Sequence, residues 1–211
     1  MSMTRIALAA ILAIAATGEA QTPAANPSPA ARRPPERAPR ETVTALMNGK
    51  KVTVEYGRPA LGGRDMDALL SQLPPDRIWR AGVDQATTLV TESDVMIGGK
   101  RVKAGKYTVY VHAPATGDYA LVLNTDPGVP LKTIFPAAPP ELADALWPRL
   151  GDYDKVVAKE VIRVPLKRSA AAEKMDRFLI GLSPARDGAS NITLTWGDRA
   201  YTTDIKAVPA S

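Results

Sequence analysis

The chain of 211 residues has no cysteine and a single histidine. Without cysteine there is no disulfide framework, thiolate nucleophile, zinc ribbon, iron–sulfur cluster or c-type haem attachment. His112 alone cannot build a multi-histidine metal site within one chain. Long apolar runs are missing as well: nothing approaches the roughly 20 residues that span hydrocarbon. Arginines and carboxylates are left as the working groups, and neither a metal nor an organic cofactor is implied.

The longest apolar run is N-terminal and short. Met1 to Arg5 carries one positive charge, Ile6 to Ala16 is apolar, and Gly18-Glu19-Ala20 supplies small residues. A charged start, a short apolar stretch and small residues at the cut form a secretory leader. Residues 1–20 are expected to be a signal peptide cleaved after Ala20, which places the product in a secreted or periplasmic compartment. The run is too short for an anchor, and no cysteine follows it to accept a lipoprotein lipid. No transmembrane segment is expected once the leader is removed.

Gln21 to Glu41 reads QTPAANPSPAARRPPERAPRE, with six prolines and no apolar periodicity. Such a stretch cannot bury enough surface to offset its ordering entropy, so 21–41 reads as a disordered Pro/Ala/Arg spacer. The formal net charge is +5; the leader's Arg5 and Glu19 cancel, and four arginines and two glutamates in the spacer hold +2, leaving +3 for the domain. Nucleic-acid binding needs clustered Lys and Arg interleaved with stacking aromatics, and with neither present no nucleic-acid partner is expected.

Residues 42–208 have the size of one domain. Period-two alternation dominates them: Val52 to Tyr56, Thr87 to Thr91 and Lys106 to His112 read as strands, as do Tyr119–Asn124, Val156–Leu166, Met175–Leu182, Ile192–Trp196 and Ala200–Ile205. Gly98-Gly99 after Val95–Ile97 marks a hairpin, Asp187-Gly188 another turn, and Gly197-Asp198 a turn between the last two strands. Helical signal is weak. Asp65 can cap a short helix through Leu70, and Pro139-Pro140-Glu141 can open another that reaches Trp147. About nine short strands without alternating helices predict an all-β fold with one or two short helices, an antiparallel sandwich or barrel-like sandwich.

The unusual polar residues crowd between Glu55 and Thr88. Tyr56-Gly57-Arg58-Pro59 ends a strand, Gly62-Gly63-Arg64-Asp65 makes a flexible turn, and Trp79-Arg80-Ala81-Gly82-Val83-Asp84-Gln85-Ala86-Thr87 leads into the next strand. Guanidinium groups are planar forked donors suited to carboxylate, sulfate or phosphate, and an aromatic face suits a sugar ring. Tyr56, Arg58, Arg64, Trp79, Arg80, Asp84 and Gln85 are therefore the candidate ligand-binding residues. The competing arrangement is internal: Arg80 paired with Asp84, Arg64 with Asp65 or Asp67, and Trp79 plugging the sandwich.

The same spaced motifs, YGRP, Gly63-Arg64, Trp79-Arg80-x-Gly82-x-x-x-Ala86-Thr87, Gly98-Gly99-Lys100 and Ala104-Gly105-x-Tyr107, resemble a bacterial secreted family catalogued as a domain of unknown function, number 2911. The resemblance extends over the Asp154-to-Val164 strand and the closing Trp196-Gly197-Asp198. It implies an exported, β-rich protein with no assigned activity. The family typically reads Ala-Asn-Glu-Ala-Thr where this chain has Val83-Asp84-Gln85-Ala86-Thr87. Gln85 cannot serve as the acid, base or metal ligand that a Glu could be, whereas an amide still donates and accepts in a binding role.

Other constellations are weaker. His112 ends a strand with no Ser or Asp motif beside it. Asp152-Tyr153-Asp154 with Asp126 lacks the dense alternating oxygen ligands of a calcium loop. Glu55 with Asp84 or Asp65 would suit a glycosidase only at a separation that sequence does not set, and Gly62-Gly63-Arg64 lacks the spacing of a phosphate loop. Three functions follow. The first is non-catalytic binding of a small anionic or sugar-like ligand through the arginines. The second is a hydrolase or isomerase using Asp84 with Arg80 or Arg64 as electrostatic stabilisers. The third is a structural envelope module in which the arginines are rim pairs. No catalytic residue is assigned, and nothing in the sequence sets an oligomeric state.

Overall fold

The computed structural model of the chain describes residues 38–208 apart from 129, 135, 141–156 and 185. The expected leader, the spacer up to residue 37, the helix expected toward Trp147 and Asp152 to Asp154 lie outside the described residues.

Alternation builds the first hairpin. In Arg40–Met47 (β1) the odd residues Val43, Ala45 and Met47 turn inward, while Thr42, Thr44 and Leu46 face out. Asn48 and Gly49, with φ of 50° and 78°, form the tight left-handed turn that such pairs favour. Lys50–Gly57 (β2) returns in register, Met47 opposite Lys50 and Arg40 opposite Gly57. Asp65 then caps α1 (Met66–Ser71), its carboxylate accepting from the Ala68 amide at 2.9 Å. The remaining elements are β3 (Ile78–Trp79), β4 (Thr88–Thr91), β5 (Val95–Ile97), β6 (Lys100–Val102), β7 (Gly105–His112), β8 (Ala120–Asn124), α2 (Leu131–Ile134), β9 (Glu160–Pro165), β10 (Lys167–Leu182) and β11 (Ala189–Ala207).

All pairings between these strands are antiparallel. One sheet runs β1-β2-β4-β7-β8-β9, with β3 also paired to β7; the other runs β10-β11-β5-β6. The fold is the expected all-β one, two sheets in a sandwich-like arrangement with short helices. Val54, Tyr56, Leu89, Val109, Leu121 and Val164 of the first sheet share a continuous core with Phe178, Ile180, Leu194, Trp196 and Ile205 of the second. Ile78, Tyr110 and Val122 form a smaller cluster of buried residues of their own.

Three details differ from the sequence reading. The spacer was expected to reach Glu41, but Arg40 and Glu41 stand in β1, their charges met by Glu55 and Arg58 across the pair. Gly197-Asp198 is not a turn: β11 runs unbroken, and Gly197 at φ 63° is a bulge around which the β10 register shifts. The left-handed residue changes the parity of the strand, while the surplus residues of this stretch belong to β10, where Ala170 to Met175 faces Arg199 to Gly197. Ile192, Leu194 and Trp196 face the core before Gly197, and Tyr201, Thr203 and Ile205 after it. Finally, β9 begins at Glu160 because Val157–Lys159 is a single 3-10 turn, and β10 starts eight residues before the expected Met175, at Lys167.

Candidate functional site

The loop 80–87 between β3 and β4 is held from several sides. Ala81, Gly82, Ala86 and Thr87 are buried, whereas Arg80, Val83, Asp84 and Gln85 are half-buried. Ala81 and Asp84 adopt left-handed backbone at φ 50° and 61°, a conformation that costs a non-glycine residue about 1–2 kcal/mol. Two contacts fix it. The Thr87 hydroxyl donates to the Ala81 carbonyl at 2.8 Å, within the loop. Gly57, at the end of β2, lies so close to Val83 that a Cβ on it would stand 2.2 Å from the Val83 carbonyl oxygen. Gly82 is equally confined, since a Cβ there would meet the Thr87 hydroxyl at 2.7 Å and the Gly57 oxygen at 3.1 Å. The glycines of YGRP and WRAG thus let two backbone segments touch.

Charged residues of β1 and β2 flank the loop. Arg40 donates from Nε to Glu55 Oε1 at 2.5 Å and from its two terminal nitrogens to the carbonyls of Gln85 (3.4 Å) and Ala86 (3.1 Å). Arg58 bonds the Phe178 carbonyl from Nε at 3.0 Å and pairs with Glu41 at 2.8 Å. The Arg58 side chain remains 23% exposed. Sequence reasoning missed Arg40 and Glu41 because the proline-rich composition around them reads as spacer. The signal that finds them is Asn48-Gly49: a two-residue turn followed by the Lys50–Gly57 strand sets Arg40 and Glu41 opposite Gly57 and Tyr56.

The other predicted site residues lie elsewhere. Arg64 donates to the carbonyls of Leu61 (2.7 Å) and Ala60 (2.8 Å), so its guanidinium braces its own loop. The expected pairing of Arg64 with Asp65 or Asp67 gives way to the cap at Asp65 and to a two-pronged pair between Asp67 and Arg199. Tyr56 is fully buried, its hydroxyl donating to the Ile180 carbonyl at 3.1 Å, and burial pushes its pKa up. Trp79 stacks on Trp196 with ring centres 5.3 Å apart and meets Phe178 edge-on at 4.8 Å. With Trp196, Phe178, Tyr119, Tyr201 and Met66 it lines an apolar cavity of about 20 Å³, room for about one water. Tyr56 and Trp79 therefore plug the sandwich, while Arg80, Asp84 and Gln85 stand half-buried on the loop 80–87, whose Val83 backbone packs on Gly57, the residue before Arg58.

Electrostatics elsewhere are structural. Arg199 lowers the pKa of Asp67 by its hydrogen bonds, and Asp67 raises that of Arg199. Burial, and after it the charge of Arg163, holds His112 below its ordinary pKa. Asp126 shapes a turn, accepting from the Gly128 amide at 2.8 Å and facing Lys159 at 3.3 Å. Among the described residues no group of three His, Asp or Glu could hold a metal ion.

A family model described as a protein of unknown function, DUF2911, matches residues 38–205, from just before β1 to within β11. The chain belongs to this family. No curated protein and no solved structure matches it significantly. In this DUF2911 chain the YGRP and WRAG motifs meet physically, through Gly57 against Val83 and Gly82, although 25 residues of sequence separate the two glycines.

Proposed function

We propose that this DUF2911 protein is an exported, non-catalytic binding domain that takes a small anionic or sugar-like ligand at the loop 80–87. Arg58 and Arg80 supply the forked donors for an anionic group. Asp84 and Gln85 accept from ligand hydroxyls, and the Gln85 amide also donates. Tyr56, Arg64 and Trp79 act beneath the loop as supports.

The observation that carries this reading is the backbone of Ala81 and Asp84. Two left-handed non-glycine residues lie within four positions, in a loop over-determined by Thr87, Gly57 and the Arg40 contacts. Strain kept in this way accumulates where pre-organised side chains meet a ligand. Titration calorimetry of the full-length chain against small carboxylates and mono- and disaccharides tests it. At least one binder is expected, with Arg80→Ala weakening it roughly tenfold, the loss of one charge-assisted contact; a silent panel, or equal binding by the variant, overturns the reading.

A second reading, a structural envelope module, is favoured by the pairing of Arg58 with Glu41 and of Arg64 with its own loop carbonyls. It expects a silent panel and a lower melting temperature for Arg58→Ala. Catalysis by Asp84 has less support, because Arg64 is turned to Leu61 and Ala60.

A further inference from the structure

The turn end of the β1–β2 hairpin lies beside a concavity. Asp187 and Gly188, at φ 50° and 71°, turn β10 into β11, with Arg186 and Ala189 exchanging backbone hydrogen bonds at 2.8 Å in both directions. The turn is seated against the first hairpin: a Cβ on Gly188 would lie 2.7 Å from Asn48 Oδ1. Beside it opens a groove of about 450 Å³ lined by Ser183, Arg186, Ser190, Asn191, Asp204 and Lys206, with Pro184 and Ala189 as apolar surface. That volume falls within the roughly 300–1,000 Å³ occupied by small-molecule sites.

The polar lining is ordered before any ligand arrives. Ser190, itself buried, donates to the Ser183 carbonyl at 2.5 Å; the two hydroxyls are 3.2 Å apart, and the Asn191 amide donates to Ser183 Oγ at 2.8 Å. Above this floor, among the described residues, neither the Arg186 guanidinium nor the Asn191 carboxamide makes a hydrogen bond or ion pair. Lys206 is held only loosely, 3.6 Å from Asp204. Two cations against one carboxylate leave the lining net positive, which selects an anion. An uncommitted carboxamide and a carboxylate suit hydroxyls, and Pro184 and Ala189 suit the apolar face of a ring.

We infer that this groove binds a small hydroxylated carboxylate of the sugar-acid class, its carboxylate on Arg186 and Lys206 and its hydroxyls on Asn191 and Asp204. The site is independent of the loop 80–87. The β1 and β2 strands that separate the two, eight residues each, span about 25 Å.

The test is a titration of the isotopically labelled full-length chain with D-glucuronate, followed by amide chemical shifts, with D-glucose alongside. Expected are saturable shifts at Ser183, Ser190, Asn191 and Asp204 with glucuronate. Glucose should bind at least roughly tenfold more weakly, and Arg186→Ala should lose a similar factor while Arg80→Ala leaves these shifts unchanged. No saturable shift at the groove, equal response to glucose, or an Arg186→Ala variant that binds as the parent does would overturn the inference. Shifts confined to residues 80–87 would also overturn it, while leaving the loop reading intact.

Discussion

At Gly57 a single methyl group meets backbone, because a Cβ there would stand 2.2 Å from the Val83 carbonyl oxygen, an atom that cannot swing away. Gly57→Ala is expected to cost more than about 2 kcal/mol in urea unfolding. Gly49→Ala, in open space at φ 78°, is the control and should lose only the backbone penalty of about 1 kcal/mol. Equal losses at the two positions would show that the loop does not press on β2. His112 gives a second residue-level expectation. Burial holds its folded pKa below the unfolded value, reinforced by Arg163 and Arg77 and opposed by Asp76 and Glu160. The unfolded chain therefore binds the proton more readily: this contribution is fully present above a pH of about 6.5 and is lost as pH falls through the window below it. Melting temperature should fall between pH 7.5 and 5.5, and His112→Gln should flatten that slope; a slope of the same size in the variant would remove His112 as its source.

Among the elements, β11 depends on one bulge. Extending the left-handed backbone at Gly197 with no residue removed would restore strict alternation and turn Tyr201, Thr203 and Ile205 away from the core that Ile192, Leu194 and Trp196 enter. Gly197→Val, a β-branched residue at φ 63°, is expected to lower stability by at least about 1–2 kcal/mol in unfolding followed by near-ultraviolet circular dichroism, whereas a parent-like melt would mean that the parity change does not depend on this residue. This parity change also explains what was legible in the sequence. The strands β2, β4, β7 and β8 were readable from alternation and β-branched residues, and the cap at Asp65 from its own chemistry. The split of β11 into two strands was the natural reading of a pattern whose phase shifts at a glycine. The first part of β10, Lys167 to Arg177, is mostly exposed and pairs along one edge with β11, so it carries no alternating apolar signal. Within the site, the crowding of Arg80, Asp84 and Gln85 was visible as spacing. The inward position of Trp79 stood in the sequence as the competing arrangement, whereas that of Tyr56 was not visible, since an aromatic in a strand reads alike whether it faces a ligand or Phe178. Phe178→Ala, which removes the ring that Tyr56, Trp79 and Trp196 all meet, should cost about 3–5 kcal/mol.

At the scale of the molecule the β1–β2 hairpin runs between the two proposed sites. One end meets the loop 80–87 through Arg40 and Gly57; its turn seats the β10–β11 turn beside the polar groove. A sandwich between them would give each proposed site a fixed scaffold and leave recognition to loops. The most direct measurement is an amide-shift titration of the full-length chain with the carboxylate and sugar panel, repeated on Arg80→Ala. The account predicts saturable shifts at residues 80–87 from at least one compound, and an affinity for it roughly tenfold lower in the variant. Silence at residues 80–87 across the panel, or shifts there that Arg80→Ala leaves unaltered, would contradict it.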